Sequence, residues 1–233
     1  SGVGNEGVAL GWDEECCVLE IVATGPDPDT ALPLEAAAVR VRSGREHDSF
    51  SALIDPGIPV PSHVLAKNGR RQEDYRGGVP PGEALEQLRD YLGKSTVLAH
   101  GSPDLEEPLL ARFGALPEGG LLDAREPAWL AAPYLRDHSL ASLAASLLGE
   151  SPSWKALEDA RLLLRILGRL REAWEEAPRR VRSAVLGALR EARSPWLEFF
   201  PGSSGRLRFP ELTEAVFAGA VSASRPRAVS SPQ

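Results

Sequence analysis

The sequence predicts an α/β fold, a mixed sheet flanked by helices. Short apolar runs closed by turn residues fill the first fifty or so positions. Helical apolar periodicity then alternates with further short apolar runs. Longer amphipathic helices follow without intervening strands. Strands followed by alternating helices and strands belong to sheet-and-helix layer architectures.

Cys16 to Val22 (CCVLEIV) is an apolar run with one acid, and the cluster Thr24-Gly25-Pro26-Asp27-Pro28-Asp29 closes it. This reads as a buried strand. Leu34 to Val41 is a second strand, although its Ala-rich middle also suits a helix. Ser43-Gly44-Arg45-Glu46 reads as a hairpin turn into a third strand, His47 to Ile54. Asp55 to Val64 is Pro-rich and predicts a loop. Pro81 opens a helix whose face carries Ala84, Leu85, Leu88 and Leu92, and Gly93 ends it. Thr96 to Ala99 is a short buried strand, Asp104 to Phe113 a helix closed by Gly114, and Leu121 to Asp123 a fifth strand. Helices follow over Ser139–Leu148, Lys155–Trp174 and Val181–Ala192, with another expected over Leu207–Phe217. From Ser222 the chain is rich in Ser, Pro and Arg and reads as a tail or linker.

Composition narrows the function classes. Hydrophobic residues make up 42% and charged residues 25%, as in ordinary globular domains. No apolar run approaches the roughly 18 residues of a membrane span, so no membrane partner is expected. The first ten residues lack the basic-then-apolar pattern of a signal peptide. Adjacent Cys16 and Cys17 suit neither a disulfide scaffold nor a zinc site. A reducing, cytoplasmic setting is expected. The chain has no Met, and its Ser1–Gly2 start suggests a piece of a longer protein. Residues 1–175 hold 17 basic against 28 acidic side chains, a net −11, whereas 176–233 are net +4. The first part is therefore a poor generic polyanion binder, because phosphate affinity comes mainly from basic groups. A metal site would be an exception, since the ions supply the positive charge.

Several short segments then fall in a telling order. They are Glu20-Ile21-Val22-Ala23-Thr24-Gly25, Leu34-Glu35-Ala36-Ala37-Ala38-Val39 and Asp55-Pro56-Gly57-Ile58-Pro59-Val60-Pro61. Ala99-His100-Gly101-Ser102-Pro103-Asp104-Leu105, the helix from His138 to Leu147, and Trp154-Lys155-Ala156-Leu157-Glu158-Asp159-Ala160 complete the series. In this order and spacing the chain resembles the DnaQ-like (DEDD) 3′–5′ exonucleases across residues 16–173. The resemblance implies a ribonuclease H-like mixed five-stranded sheet over residues 10–175. A helical extension over 176–221 and a tail over 222–233 would follow. It also implies chemistry in which two Mg²⁺ or Mn²⁺ ions, held by carboxylates, hydrolyse a phosphodiester with a histidine as general base.

The motifs depart from that pattern. Glu20 stands for the first Asp, and Val22 for the Glu two residues on. Leu105 occupies the second-motif Asp, with Asp104 its only near stand-in, and Trp154 replaces the base histidine. Asp159 alone is unchanged. A misplacement of about 1 Å costs about 100-fold, and loss of a general base roughly 10²–10⁴-fold. Loss of ligands removes the ions themselves. A catalytically inactive descendant is expected, with no resident cofactor and no metal ligands; Mg²⁺ or Mn²⁺ returns only if Glu20, Asp104 and Asp159 form a rearranged site. Glu20 and Asp159 read either as vestigial ligands or as structural acids. Trp154 reads as a plug in the vacated site or as a base-stacking platform. Lys67, Arg70 and Arg71, where the family packs the strand's 3′ end, read as phosphate contacts or as a solvated loop. His100 and His138 are expected near turns, outside the catalytic set.

The expected function is a nucleic-acid or protein positioning module in a DNA replication or repair protein, binding single strands weakly. A neighbouring helicase domain of the DinG type, or a polymerase, is the host the resemblance suggests. An active exonuclease and a protein-interaction domain without nucleic-acid contact are the alternatives.

Overall fold

Strand β1 (Cys16–Ala23) is the middle of five strands in the computed structural model, which describes residues 15–202. On one side it pairs antiparallel with β2 (Pro33–Arg42), which pairs antiparallel with β3 (Arg45–Leu53). On the other side it pairs parallel with β4 (Thr96–Ala99), which pairs parallel with β5 (Leu121–Asp123). The order is β3-β2-β1-β4-β5, a mixed sheet. Strands with both faces covered read as continuous apolar runs, as β1 does.

Side chains alternate across a strand. Cys16 and Val18 join a cluster containing Ala160, Leu163, Ile166, Leu167 and Leu170 of α7 (Ala156–Glu176). Cys17, Leu19 and Ile21 pack on the opposite face with Leu85, Leu88 and Leu92 of α3 (Pro81–Leu92) and Leu109 and Leu110 of α4 (Glu106–Arg112). The two cysteines thus face opposite layers, both buried and free. Glu20 is two residues beyond Val18, so the same alternation places it on the α7 side.

The Pro-rich stretch is less loop-like than its composition suggests. Helix α1 (Ser62–Asn68) starts within it, and α2 (Gln72–Tyr75) follows. Both are too short to show a helical repeat in sequence, and tertiary contacts hold them. Val64 and Tyr75 cluster with Leu34 and Val60, and Asn68 Nδ2 donates to Tyr75 Oη at 2.7 Å. Helix α5 (Arg125–Ala131) was likewise not foreseen; α6 spans Leu140–Leu148.

The extension after residue 175 shares the core of the preceding domain. Helix α8 (Arg179–Glu191) and a 3-10 turn (Leu197–Phe199) bring Leu186, Trp196, Phe199 and Phe200 into the cluster that also holds Trp174 of α7. Trp174 and Phe200 stack with ring centroids 4.4 Å apart. The expected helix over 207–217 and the tail lie outside the described residues. Among the described residues, no helix is long and apolar enough to cross a membrane.

Candidate functional site

The end of β1, the N-terminal halves of α4 and α7, and helix α1 surround a cleft of about 540 Å³. Glu20, Glu106, Asp159, Trp154, Lys67 and His63 line it. Glu20 and Asp159 therefore meet, as the motif order implies. Asp104, the expected stand-in ligand, is absent from this cleft. Its carboxylate pairs instead with Arg125 Nη1 at 2.6 Å, and its side chain is 70% exposed. Arg125 is drawn that way because it also pairs with buried Asp123 at 2.7 Å. Leu105 caps α4 and packs on the α3-side core. The acid that enters the cleft is Glu106, the first residue of α4, only 4% exposed.

Burial dominates the protonation of these acids. Glu20 has its pKa raised well above the ordinary carboxylate value, first by desolvation, then by the nearby charges of Glu106 and Asp159. Its Oε1 is buried with no hydrogen-bond partner. Desolvation pushes Glu106 up to about 8, with Asp123 and Asp104 adding to the shift. Desolvation also raises Asp159, against the pull of its hydrogen bonds. Taking a carboxylate out of water without a cation disfavours its charged form.

Asp159 is engaged by its own chain through three hydrogen bonds. Its Oδ1 accepts from Ser153 N at 2.7 Å and Ser153 Oγ at 3.1 Å, and its Oδ2 accepts from Trp154 N at 2.9 Å. These bonds hold Trp154 at φ 60°, the left-handed region that a bulky residue seldom enters. That conformation costs about 1–2 kcal/mol. Hydrogen bonds to a charged acceptor contribute about 1.5–3 kcal/mol each, so the turn is held firmly. Trp154 is no buried plug. It is 45% exposed on the cleft wall, with Lys67 Nζ 4.3 Å from its ring centroid. His63 lies one turn before Lys67 on α1 and lines the same cleft.

Of the three basic residues expected to meet phosphate, only Lys67 lines the cleft. Arg70 is ion-paired with Glu35, which is 5% exposed and also accepts from the α7 amide of Ala156 at 3.2 Å. Glu35 stands directly across from Val22 in the β1–β2 register. It therefore ties β2, the loop after α1 and the start of α7 together. Arg71 pairs with Asp74 at 3.2 Å on the surface. His100 and His138 bind backbone carbonyls, of His138 at 2.7 Å and Ala132 at 3.1 Å.

The donor set does not fit a pair of divalent ions. Hard cations need several anionic oxygens. Here Val22 offers none, and three hydrogen bonds from the Ser153–Trp154 turn already occupy both oxygens of Asp159. Among the described residues, no group of three His, Cys, Asp or Glu side chains is arranged to hold a metal.

No family profile matches the chain. A DNA polymerase III of PolC type from Listeria innocua is 29% identical over 90 residues, which is 39% of this chain and 6% of that protein. The DNA polymerase III subunit epsilon of Aquifex aeolicus is 29% identical over 83 residues, 36% of this chain and 41% of that subunit. The matched stretches are thus a small part of the polymerases and under half of the subunit. Among solved structures, the 3′-exonuclease that recognises the histone mRNA stem-loop superposes with a TM-score of 0.57 at 18% identity, over 71% of this chain and 66% of that one. Escherichia coli exonuclease I with single-stranded DNA gives 0.60 at 12% identity, over 76% and 43%. Both show the same fold. The strand order, the ordered motifs and the polymerase III relatives agree in supporting a likeness to the DnaQ-like 3′–5′ exonuclease superfamily, and the chain has the ribonuclease H-like fold.

Proposed function

We propose that this domain is a non-catalytic member of its superfamily, which holds the end of a single strand for a replication protein without cutting it. The observation that carries this reading is the state of Asp159. The one motif acid left unchanged has both oxygens committed to the Ser153–Trp154 turn. Val22 and Trp154 remove a further ligand and the general base, and these losses fall on one cooperative unit. The cleft itself persists, open and faced by Lys67 and His63. The polymerase III relatives support a replication setting, with a polymerase or helicase domain as the neighbour.

One observation favours a second reading. Glu106 enters the cleft where Asp104 does not, so a rearranged carboxylate set of Glu20, Glu106 and Asp159 is the form an active metal-dependent exonuclease would take. One experiment separates the two. A 5′-labelled single-stranded DNA, and separately an RNA, is incubated with the full chain in Mg²⁺ and then Mn²⁺. Samples are run on native and denaturing gels. The expected result is a shifted complex containing a full-length strand. Metal-dependent shortening that disappears in Glu106→Gln would establish the active reading instead.

A further inference from the structure

The cleft contains an aromatic platform whose construction the loss of catalysis does not explain. Trp154 sits in a strained turn, and three hydrogen bonds to a single carboxylate hold it there. Backbone strain that the surroundings enforce clusters at ligand clamps and functional sites. A large aromatic residue filling space would be expected to bury its ring, yet Trp154 remains 45% exposed. Lys67 brings an ammonium to the ring face, 4.3 Å from the centroid. In the same cleft Glu20 Oε1 is buried without a partner, an acceptor for a donor that the protein does not supply.

An exposed indole beside one cation suits a nucleotide. The base stacks on the ring, because every base has a π-face, and the flanking phosphate meets the ammonium. Neither contact needs a metal ion. The remaining basic candidates do not compete for this role, because Arg70 is held by Glu35 and Arg71 by Asp74.

We propose that Trp154 and Lys67 form a metal-independent docking platform for the terminal nucleotide of a single strand, and that Asp159 is a positioning residue that sets the Trp154 ring. This rests on the reading of the cleft as a strand-holding site. It makes the former metal-ligand position a structural support for base stacking, and the former general-base position the stacking surface.

The test is fluorescence anisotropy of the full chain with 5′-fluorescein-labelled decathymidylate in EDTA, over a range of salt. A second strand lacks only its 3′-terminal base. The parent is expected to bind in EDTA. Trp154→Ala should bind roughly 5- to 150-fold more weakly, the range for loss of one base stack, and Trp154→Phe should recover most of the loss. The strand without a terminal base should show the same deficit with the parent protein, which needs no variant to fold. Lys67→Gln should lower the salt slope by about 0.7, the value for one phosphate on a single strand. Asp159→Asn should weaken binding of the complete strand and leave binding of the base-lacking strand unchanged. If the parent binds but neither Trp154→Ala nor the missing base matters, the platform is wrong and the strand-holding reading stands. If the parent does not bind at low salt, both are wrong. Binding that requires Mg²⁺ would overturn the metal-independent contact.

Discussion

Replacing Glu106 with Gln isolates the cost of keeping a carboxyl group buried in the cleft. Glu106 is 4% exposed and its pKa is raised from 4.5 to about 8, first by desolvation. In the native protein the group therefore holds a proton that the unfolded chain releases above its own lower pKa. The associated stability is fully present below 4.5 and is lost as pH rises through 8. At about 1.36 kcal/mol per pKa unit, the complete loss is about 5 kcal/mol. Gln has nearly the same shape and never ionises, so it escapes this loss. Urea unfolding of the parent and of Glu106→Gln at pH 5 and pH 9 reads the effect. Titrations of groups that do not feel Glu106 cancel in the difference between the two proteins, whereas Glu20, raised in part by the Glu106 charge, adds to the change. The variant is expected to gain several kcal/mol on the parent between pH 5 and pH 9. A difference that stays flat with pH, or that favours the parent at pH 9, would refute the assignment of Glu106 as a desolvated, neutral acid.

Two further substitutions test how the site is supported. Arg70→Ala should cost about 1.5–3 kcal/mol in urea unfolding, because it strands buried Glu35. Arg71→Ala, at a side chain 79% exposed, should cost under about 1 kcal/mol. Equal effects would contradict the assignment of Arg70 to structure. Phe199→Ala should cost about 3–5 kcal/mol, because its ring is fully buried against Trp196 and Phe200. A loss under about 1 kcal/mol would mean that the C-terminal extension is an appendage rather than part of the core.

The layers of the fold were legible because β1 and β2 are mostly apolar runs and α3 and α7 each carry an apolar face at helical spacing. The five strands lie on the short apolar runs read as strands, within two residues at either end. Helices α1, α2 and α5 were not, since they span only 7, 4 and 7 residues and depend on contacts made far away in sequence. The site was legible in part. Alternation along β1 places Glu20 opposite Ile21, on the side of α7, and that is why it meets Asp159. Glu106 was missed because an alignment without gaps assigns the position to Leu105. A signal for it was present: Glu106 stands three and four residues before Leu109 and Leu110, on the one buried face of α4. The pairing of Asp104 with Arg125 and of Arg70 with Glu35 had no such signal. Each joins segments at least 21 residues apart, and only the folded chain decides which acid a guanidinium reaches.

Loss of the metal centre from this cleft is the reading on which the others depend, and calorimetric titration of the full chain with Mn²⁺ at pH 7 measures it. Asp159 is held by the Trp154 turn, and burial disfavours the charged forms of Glu20 and Glu106. No saturable heat is expected at micromolar Mn²⁺. A one-site or two-site isotherm in that range, abolished by Glu106→Gln or Asp159→Asn, would contradict that reading.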